Sequence, residues 1–219
     1  IYIYNPYLEL FSAFKGENKG EILQIEEDRS GNVWFISNNR LFCFQPTNGQ
    51  LKQQTDVGEQ VVSAFGFDKH DNVWVGGNQS LKNLKTGASF ILPIAHAAAQ
   101  WIEKIYRDDR EQFWIATSKH GLYTLDPANG SIKHRLPSID GSPLFVRDIQ
   151  QADPATFWIA TESGVIVYNS HNGQHNLLRQ QADHPWGLSD NAVYTICKDH
   201  QGGIWVGTFF GGLNYYHRQ

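Results

Sequence analysis

The chain has 219 residues and a formal net charge of −4, with Lys and Arg scattered singly rather than gathered into a stripe, and 13% of its residues are aromatic, seven of them Trp. That length suits one large all-β domain or two small ones, and without a basic stripe to neutralise a phosphate backbone a nucleic-acid partner is not expected. The longest apolar run, SFILPIAHAAAQWI (89–102), is interrupted by His96 and Gln100 and is well short of the roughly 20 residues a bilayer-spanning helix requires, so no membrane insertion by this region is expected. The sequence does not begin with Met and carries no basic-then-apolar signal segment or low-complexity tail, and is expected to be a mature or excised piece.

In chain order, IYIYNP (1–6) has the pattern of LFCFQP (41–46) and LYTLDP (122–127), and assigns residues 1–14 to the end of one structural unit. Four complete units follow, over 22–54, 61–92, 101–136 and 145–180, and a fifth begins at 191–219. Each of the five is organised around one tryptophan, Trp34, Trp74, Trp114, Trp158 or Trp205, spaced 40, 40, 44 and 47 residues apart. An Asp stands six residues before four of them (Asp28, Asp68, Asp108, Asp199); in the fourth unit Ala152 takes that place and Asp153 comes one step late. The neighbours of each Trp are apolar on both sides, as in Val33 and Phe35 or Ile204 and Val206.

Within a unit, an apolar-rich segment such as ILQIEED or WIEKIYRD leads to the Asp turn, then to the Trp segment, then to a short run such as LFCF, LKNL, LYTL, VIVY or LNYY. In four units a turn follows: PTNGQ, KTGAS, PANGS or SHNGQ. Asn-Gly is expected to supply the positive φ angles of tight hairpins. Each period therefore holds four short strands, a to d, with the Trp on strand b. The stretch 94–109 has alanines and a spacing of Ala98, Trp101, Ile102 and Ile105 that suit an amphipathic helix, but its register with the other units favours strand a over 101–108, with room for a helical turn before it. A four-stranded unit that is apolar on both faces buries them by stacking with like units around an axis, which predicts an all-β fold, a β-propeller of four-stranded antiparallel blades.

DRSGNVWFIS, DHQGGIWVGT and above all LSDNAVYTICKDHQGGIWVGTFFGGLNYYHRQ (188–219) resemble the two-component regulator propeller repeats of hybrid sensor kinases from Bacteroides-type bacteria, and the resemblance covers essentially the whole chain. It implies a periplasmic sensor region of an inner-membrane receptor, part of a seven-bladed ring. It also implies an oligosaccharide ligand, polysaccharide-utilisation genes as the output, and a homodimeric parent whose further blades and following domain lie beyond these repeats. The chain both starts and finishes on strand c, so an open or partner-completed edge is expected.

Catalytic signals are poor. There is no Gly-x-Ser-x-Gly elbow, glycine-rich phosphate loop, His-Glu-x-x-His or Cys-x-x-Cys, and no cofactor is expected. The nine His are dispersed, and HNGQH (171–175) sits on a hairpin turn rather than a helix face. The recurrent Asp lacks the alternating oxygen ligands of a calcium loop and is expected to accept from backbone N–H groups in the a–b turn. The five tryptophans are expected to be core wedges between blades, and Cys43 and Cys197 to be buried free thiols.

The a–b and c–d turns share one face of the ring and are nearly uniform; the b–c and d–a loops share the other and are heterogeneous, which makes that face the candidate binding face. It carries Trp101, His184, Trp186, Phe209 and Phe210 as rings for stacking, beside Asn38, Asn39, Arg40, His120 and Glu162 for hydroxyls. Two other readings stand beside a glycan sensor. A polysaccharide lyase or glycosidase would need paired groups near the axis, where strand a offers Glu26, Glu103 and Tyr194. A protein-interaction scaffold would use the same variable face.

Overall fold

The computed structural model describes residues 2–5, 9–13, 20–54, 61–94, 100–181 and 187–217, with side chains omitted at 2–5 and 11–13. The chain divides into two compact units, residues 1–55 and 56–219. In the first, β1 (Tyr2–Asn5) and β2 (Leu10–Ala13) form a hairpin, and β3 (Ile22–Glu27), β4 (Val33–Ser37), β5 (Arg40–Gln45) and β6 (Gln50–Gln53) form a four-stranded antiparallel blade in that order. The second unit holds the blades β7 (Ala64–Phe67) to β10 (Ser89–Ile91), β11 (Ile102–Arg107) to β14 (Ile132–Leu136), and β17 (Val146–Gln151) to β20 (His175–Leu178). Their middle strands are β8 (Val73–Gly77) and β9 (Ser80–Asn83), β12 (Phe113–Thr117) and β13 (Leu122–Leu125), and β18 (Thr156–Thr161) and β19 (Gly164–Asn169). A three-stranded blade, β21 (Val193–Lys198), β22 (Ile204–Thr208) and β23 (Leu213–Tyr216), ends the described chain.

The fold is a β-propeller, as the repeat predicts. In the second unit the first strands, β7, β11, β17 and β21, are successive neighbours, so each blade is innermost at strand a. The core lies between blades. Trp74, Ile102, Ile105 and Phe113 pack in one interblade cluster, Trp114, Ile149, Phe157 and Ile159 in the next, and Trp158, Val193, Ile196 and Ile204 in the third. Each buried Trp meets an aromatic ring of the following blade: Trp74 on Phe113 at 5.4 Å, Trp114 on Phe157 at 4.0 Å, and Trp158 on Tyr216 at 5.0 Å between centroids. The blades approach so closely that a Cβ at Gly66 would lie 2.8 Å from the Ile105 carbonyl oxygen.

The wedge expectation fails at Trp205, which is 41% exposed, because among the described residues of the second unit no sheet packs on the far side of β21–β23. The same face explains a second correction. Cys43 is buried, but Cys197 is exposed; it pairs across the ladder with Trp205 as Cys43 does with Trp34, so it shares the uncovered side.

The Asp does the work the sequence assigns to it. In the third repeat Asp108 Oδ1 accepts from the backbone N–H groups of Arg110 and Gln112, both at 2.9 Å, while Oδ2 accepts from Trp114 Nε1 at 2.8 Å. The same indole bond measures 2.8 Å at Asp28, 3.2 Å at Asp68 and 3.1 Å at Asp199. Burial pushes the Asp28 and Asp68 carboxyls upward, but the hydrogen bonds they accept outweigh it and hold both below the ordinary aspartate value. Asp153, one residue nearer its Trp, instead accepts from the N–H groups of Ala155 and Thr156 in a shorter turn.

In the c–d turns only the glycine takes positive φ: Gly49, Gly87, Gly130 and Gly173 lie at 69° to 75°. Each donates its N–H to the carbonyl four residues back, as in Gly130 to Asp126 at 2.8 Å, the geometry of a type I turn closed by a left-handed glycine. The residue before it, Asn48, Asn129 or Asn172 in three of the turns and Thr86 in the other, is not left-handed, which corrects the sequence expectation for Asn-Gly. The d–a loop PSIDGSP contains a further small hairpin, β15 (Ser138–Ile139) with β16 (Ser142–Pro143), turning at Asp140 and Gly141 with both φ positive. Strand a of the third blade runs over Ile102–Arg107, as its register predicts, and residues 95–99 before it lie outside the described set.

Candidate functional site

Strand a carries an irregularity that recurs. The a–b ladder shifts register between Ile22 and Gln24, Ile102 and Lys104, Val146 and Asp148, and Val193 and Thr195. The residue skipped is always the one eleven positions before the repeat Trp: Leu23, Glu103, Arg147 or Tyr194. A β-bulge leaves its extra residue out of the ladder and re-aims its side chain. Here it does so at the start of strand a, opposite the end of strand b, on the edge where the d–a and b–c loops meet.

In the second unit three successive bulge residues converge. The Arg147 guanidinium donates from Nε to Glu162 Oε1 at 2.7 Å and also bonds it through Nη2, while Nη1 lies 3.9 Å from Glu103 Oε2. It sits over the ring of Phe145 at 4.2 Å and over that of Tyr194 at 4.5 Å, so aromatic rings and carboxylates together pin one cation. Tyr194 stacks on Phe209 at 5.2 Å and 24°, and Phe210 meets Phe209 edge-on at 4.4 Å. These rings face solvent: Tyr194 is 41%, Phe209 56% and Phe210 87% exposed.

Burial pushes the Glu103 carboxyl above its ordinary value; Arg147 opposes that shift and Glu162 adds to it. One residue further along each strand runs a second polar tie. Lys104 Nζ lies 4.0 Å from Asp148 Oδ1, and Asp148 Oδ2 accepts from Thr195 Oγ1 and from the Ile196 N–H, both at 2.9 Å.

The b–c loop of the last blade is built to hold its rings still. Phe209 N–H donates to the Ala192 carbonyl at 2.9 Å, and Phe210 N–H to Asp190 Oδ2 at 3.0 Å. Asn214 and Ser189 exchange two hydrogen bonds at 2.8 and 3.0 Å, and a Cβ at Gly211 would collide with Ser189. The LSDN and GTFFGGLN segments of the sequence are therefore two halves of one loop clamp. Asp190 is held below the ordinary aspartate value by the N–H groups of Phe210 and Ala192.

The sequence candidates divide accordingly. Phe209, Phe210 and Glu162 come together, with Tyr194 and Glu103. Trp101 is 38% exposed in the equivalent position to Phe145, with its backbone N–H donating to Ser118 Oγ at 2.9 Å. His120 lies in the adjoining b–c loop with its carbonyl 2.7 Å from His134 Nε2. Arg40 is exposed at the start of β5 in the first unit, as is the preceding turn in which Asn38 and Asn39 both take left-handed φ, 49° and 59°. Ser37 pairs directly with Arg40, so those asparagines serve a two-residue hairpin turn. Glu26 also belongs to the first unit and accepts from Gln24 Nε2 at 2.8 Å. His184 and Trp186 lie outside the described residues. Arg147 and Phe145 escaped the sequence reading, although reading the column eleven residues before each Trp would have set Arg147 between Glu103 and Tyr194.

A cleft of about 770 Å³ opens on the opposite face between the blades 64–91 and 102–136, lined by Lys69, His70, Trp74, Arg110 and Asp126 among others. Of its polar groups, Asp126 accepts from the N–H of Ala128 and from Asn129 Nδ2 within its own turn, and Arg110 Nη2 donates to His171 Nε2 at 2.8 Å. Among the described residues no group of His, Cys, Asp and Glu side chains could hold a metal ion, and no helix is long and apolar enough to cross a membrane.

Residues 187–210, which include Ser189, Asp190 and both phenylalanines, match the two-component regulator propeller family model. Among solved structures the chain is similar to extracellular domains assigned to hybrid two component systems of B. thetaiotaomicron. For BT4673 the TM-score is 0.85 at 16% identity, over 99% of this chain and 30% of that one. For BT3049 the TM-score is 0.76 at 19% identity, over 97% and 30%. The chain thus spans under a third of the length of those domains. Virginiamycin B lyase from Staphylococcus aureus shares the fold at TM-score 0.64 and 15% identity, over 92% and 71%. No curated protein matches.

Proposed function

From a chain whose last repeat matches the two-component regulator propeller model, we propose that these blades are part of the periplasmic ligand-sensing region of a hybrid two-component sensor kinase, and that they help detect an oligosaccharide. The observation that carries the reading is the convergence of exposed Tyr194, Phe209 and Phe210 with Arg147 and Glu162, drawn from successive blades onto the heterogeneous face. Sugars present apolar C–H faces that stack on aromatic rings and hydroxyls that bond carboxylates and guanidinium groups, and this site offers both. Further blades of the parent receptor would complete the ring, and the ligand would act by favouring one of two receptor arrangements, to the extent of its differential affinity for them.

A thermal melt followed by intrinsic Trp fluorescence, against a panel of plant, host and microbial oligosaccharides, tests the reading. A ligand at 100 times its dissociation constant adds about 2.7 kcal/mol to the native state, and one glycan class is expected to raise the midpoint. A cooperative melt that moves with none of them would remove glycan sensing from these repeats.

A further inference from the structure

The charges around the rings restrict which sugar the site can take. Arg147 is occupied on every side: Glu162 and Glu103 face its edges, Phe145 and Tyr194 its faces. Among the described residues of the two blades that carry the rings and Glu162, the other cation on this edge is also partnered, as is Lys104 on the blade before them; Lys119, exposed on that earlier blade's b–c loop, stands two blades from Phe209. Arg179 Nη2 lies 3.6 Å from Asp140 Oδ2 and its Nε donates to the Ser163 carbonyl, and Lys104 faces Asp148. The rings are moreover bordered by Asp190 at the base of their loop. An acidic sugar arriving on the rings meets two or three carboxylates and, among the described residues of the two blades that carry the rings and Glu162, no uncommitted cation.

A hydroxyl meets something different. Glu162 is 39% exposed and carries its Arg147 bonds on Oε1, which leaves Oε2 to accept from a sugar hydroxyl beside the rings. Resting on the glycan-sensing reading above, we infer that the Tyr194–Phe209–Phe210 platform takes a neutral saccharide, its C–H face on the rings and its hydroxyls on Glu162. Arg147 is a positioning residue: it braces Tyr194 and Glu162 and does not receive an anion.

The test titrates the 219-residue chain with neutral xylo-, manno- and gluco-oligosaccharides and, separately, with oligogalacturonate and chondroitin sulfate oligosaccharides. A neutral glycan is expected to bind with an affinity indifferent to salt, and Phe209→Ala to weaken it about tenfold. Phe210→Ala, at a more exposed ring, is the second variant should Phe209→Ala melt non-cooperatively. Glu103→Gln combined with Glu162→Gln releases the Arg147 guanidinium, so the neutral glycan weakens while the acidic ones gain affinity that salt removes. A merely structural role for the carboxylates would lower both alike.

Binding of an acidic glycan by the unaltered chain, falling as salt rises, overturns the inference and leaves glycan sensing in place. Neutral binding untouched by Phe209→Ala and Phe210→Ala does the same. Binding of no glycan at all removes the sensing reading together with the inference.

Discussion

Trp114 and Trp205 hold the same place in their repeats and make the same hydrogen bond, 2.8 Å and 3.1 Å to the Asp six residues earlier, yet one is 1% and the other 41% exposed. Trp114 stacks on Phe157 of the next blade; among the described residues the aromatic ring that Trp205 meets is Tyr215 of its own blade, at 4.5 Å. The Asp–Trp bond is thus a property of a single blade, formed whether or not a neighbour covers the indole. Interblade burial is a separate contribution, and in a stack of like units it accounts for most of the difference between a covered and an uncovered repeat.

The largest effect expected from this comparison is Trp114→Ala, which empties an interblade core and should cost about 3–5 kcal/mol; Trp205→Ala should cost about 1 kcal/mol, since the indole is already partly hydrated. Urea denaturation of both variants measures the pair. Equal losses would break the comparison and mean that the β21–β23 face is covered in solution. The next effect is smaller. Asp108→Ala strands two backbone N–H groups and the Trp114 indole N–H, all partly or fully buried, and should cost about 2 kcal/mol with Phe157 still in contact with the ring. If Asp108→Ala is as damaging as Trp114→Ala, the hydrogen bonds and the stacking are not separable in a covered blade.

The two halves of the molecule's chemistry were unequally legible in the sequence. Trp at a near-constant period, with Asp six before it and Gly after the third strand, is a local pattern enforced by backbone geometry, so strands, turns and blade order could be read directly. Whether Trp205 and Cys197 are covered depends on what packs across from their strand, and no local pattern records that. Arg147 was hidden for a related reason. Its neighbours Glu103 and Tyr194 are each more than forty residues away in sequence, and the bulge that turns all three out of the ladder leaves no mark in residue type: Leu23 occupies the same register in the first unit. Phe209 and Phe210 were legible because two adjacent aromatics in a glycine-bounded loop cannot both be buried in a strand.

The smallest effect expected lies at Glu103 and concerns the cost of placing charge at the bulge. Burial raises its carboxyl above the ordinary value of 4.5, more than Arg147 at 3.9 Å lowers it. A carboxyl whose folded-state value is raised favours the folded protein when protonated: that contribution is fully present below the unfolded value and is lost as pH rises through the folded one. At pH 7 the unaltered chain therefore carries an ionised Glu103 at a penalty. Glu103→Gln removes the penalty, and should stabilise the chain at pH 7 by less than about 1 kcal/mol, with the advantage shrinking to nothing as the pH falls below the ordinary glutamate range. Paired melts at neutral and acid pH read the difference directly. A variant less stable than the unaltered chain at pH 7, with the gap closing in acid, would mean that attraction to Arg147 outweighs burial, so that both carboxylates, and not Glu162 alone, hold the guanidinium against the rings.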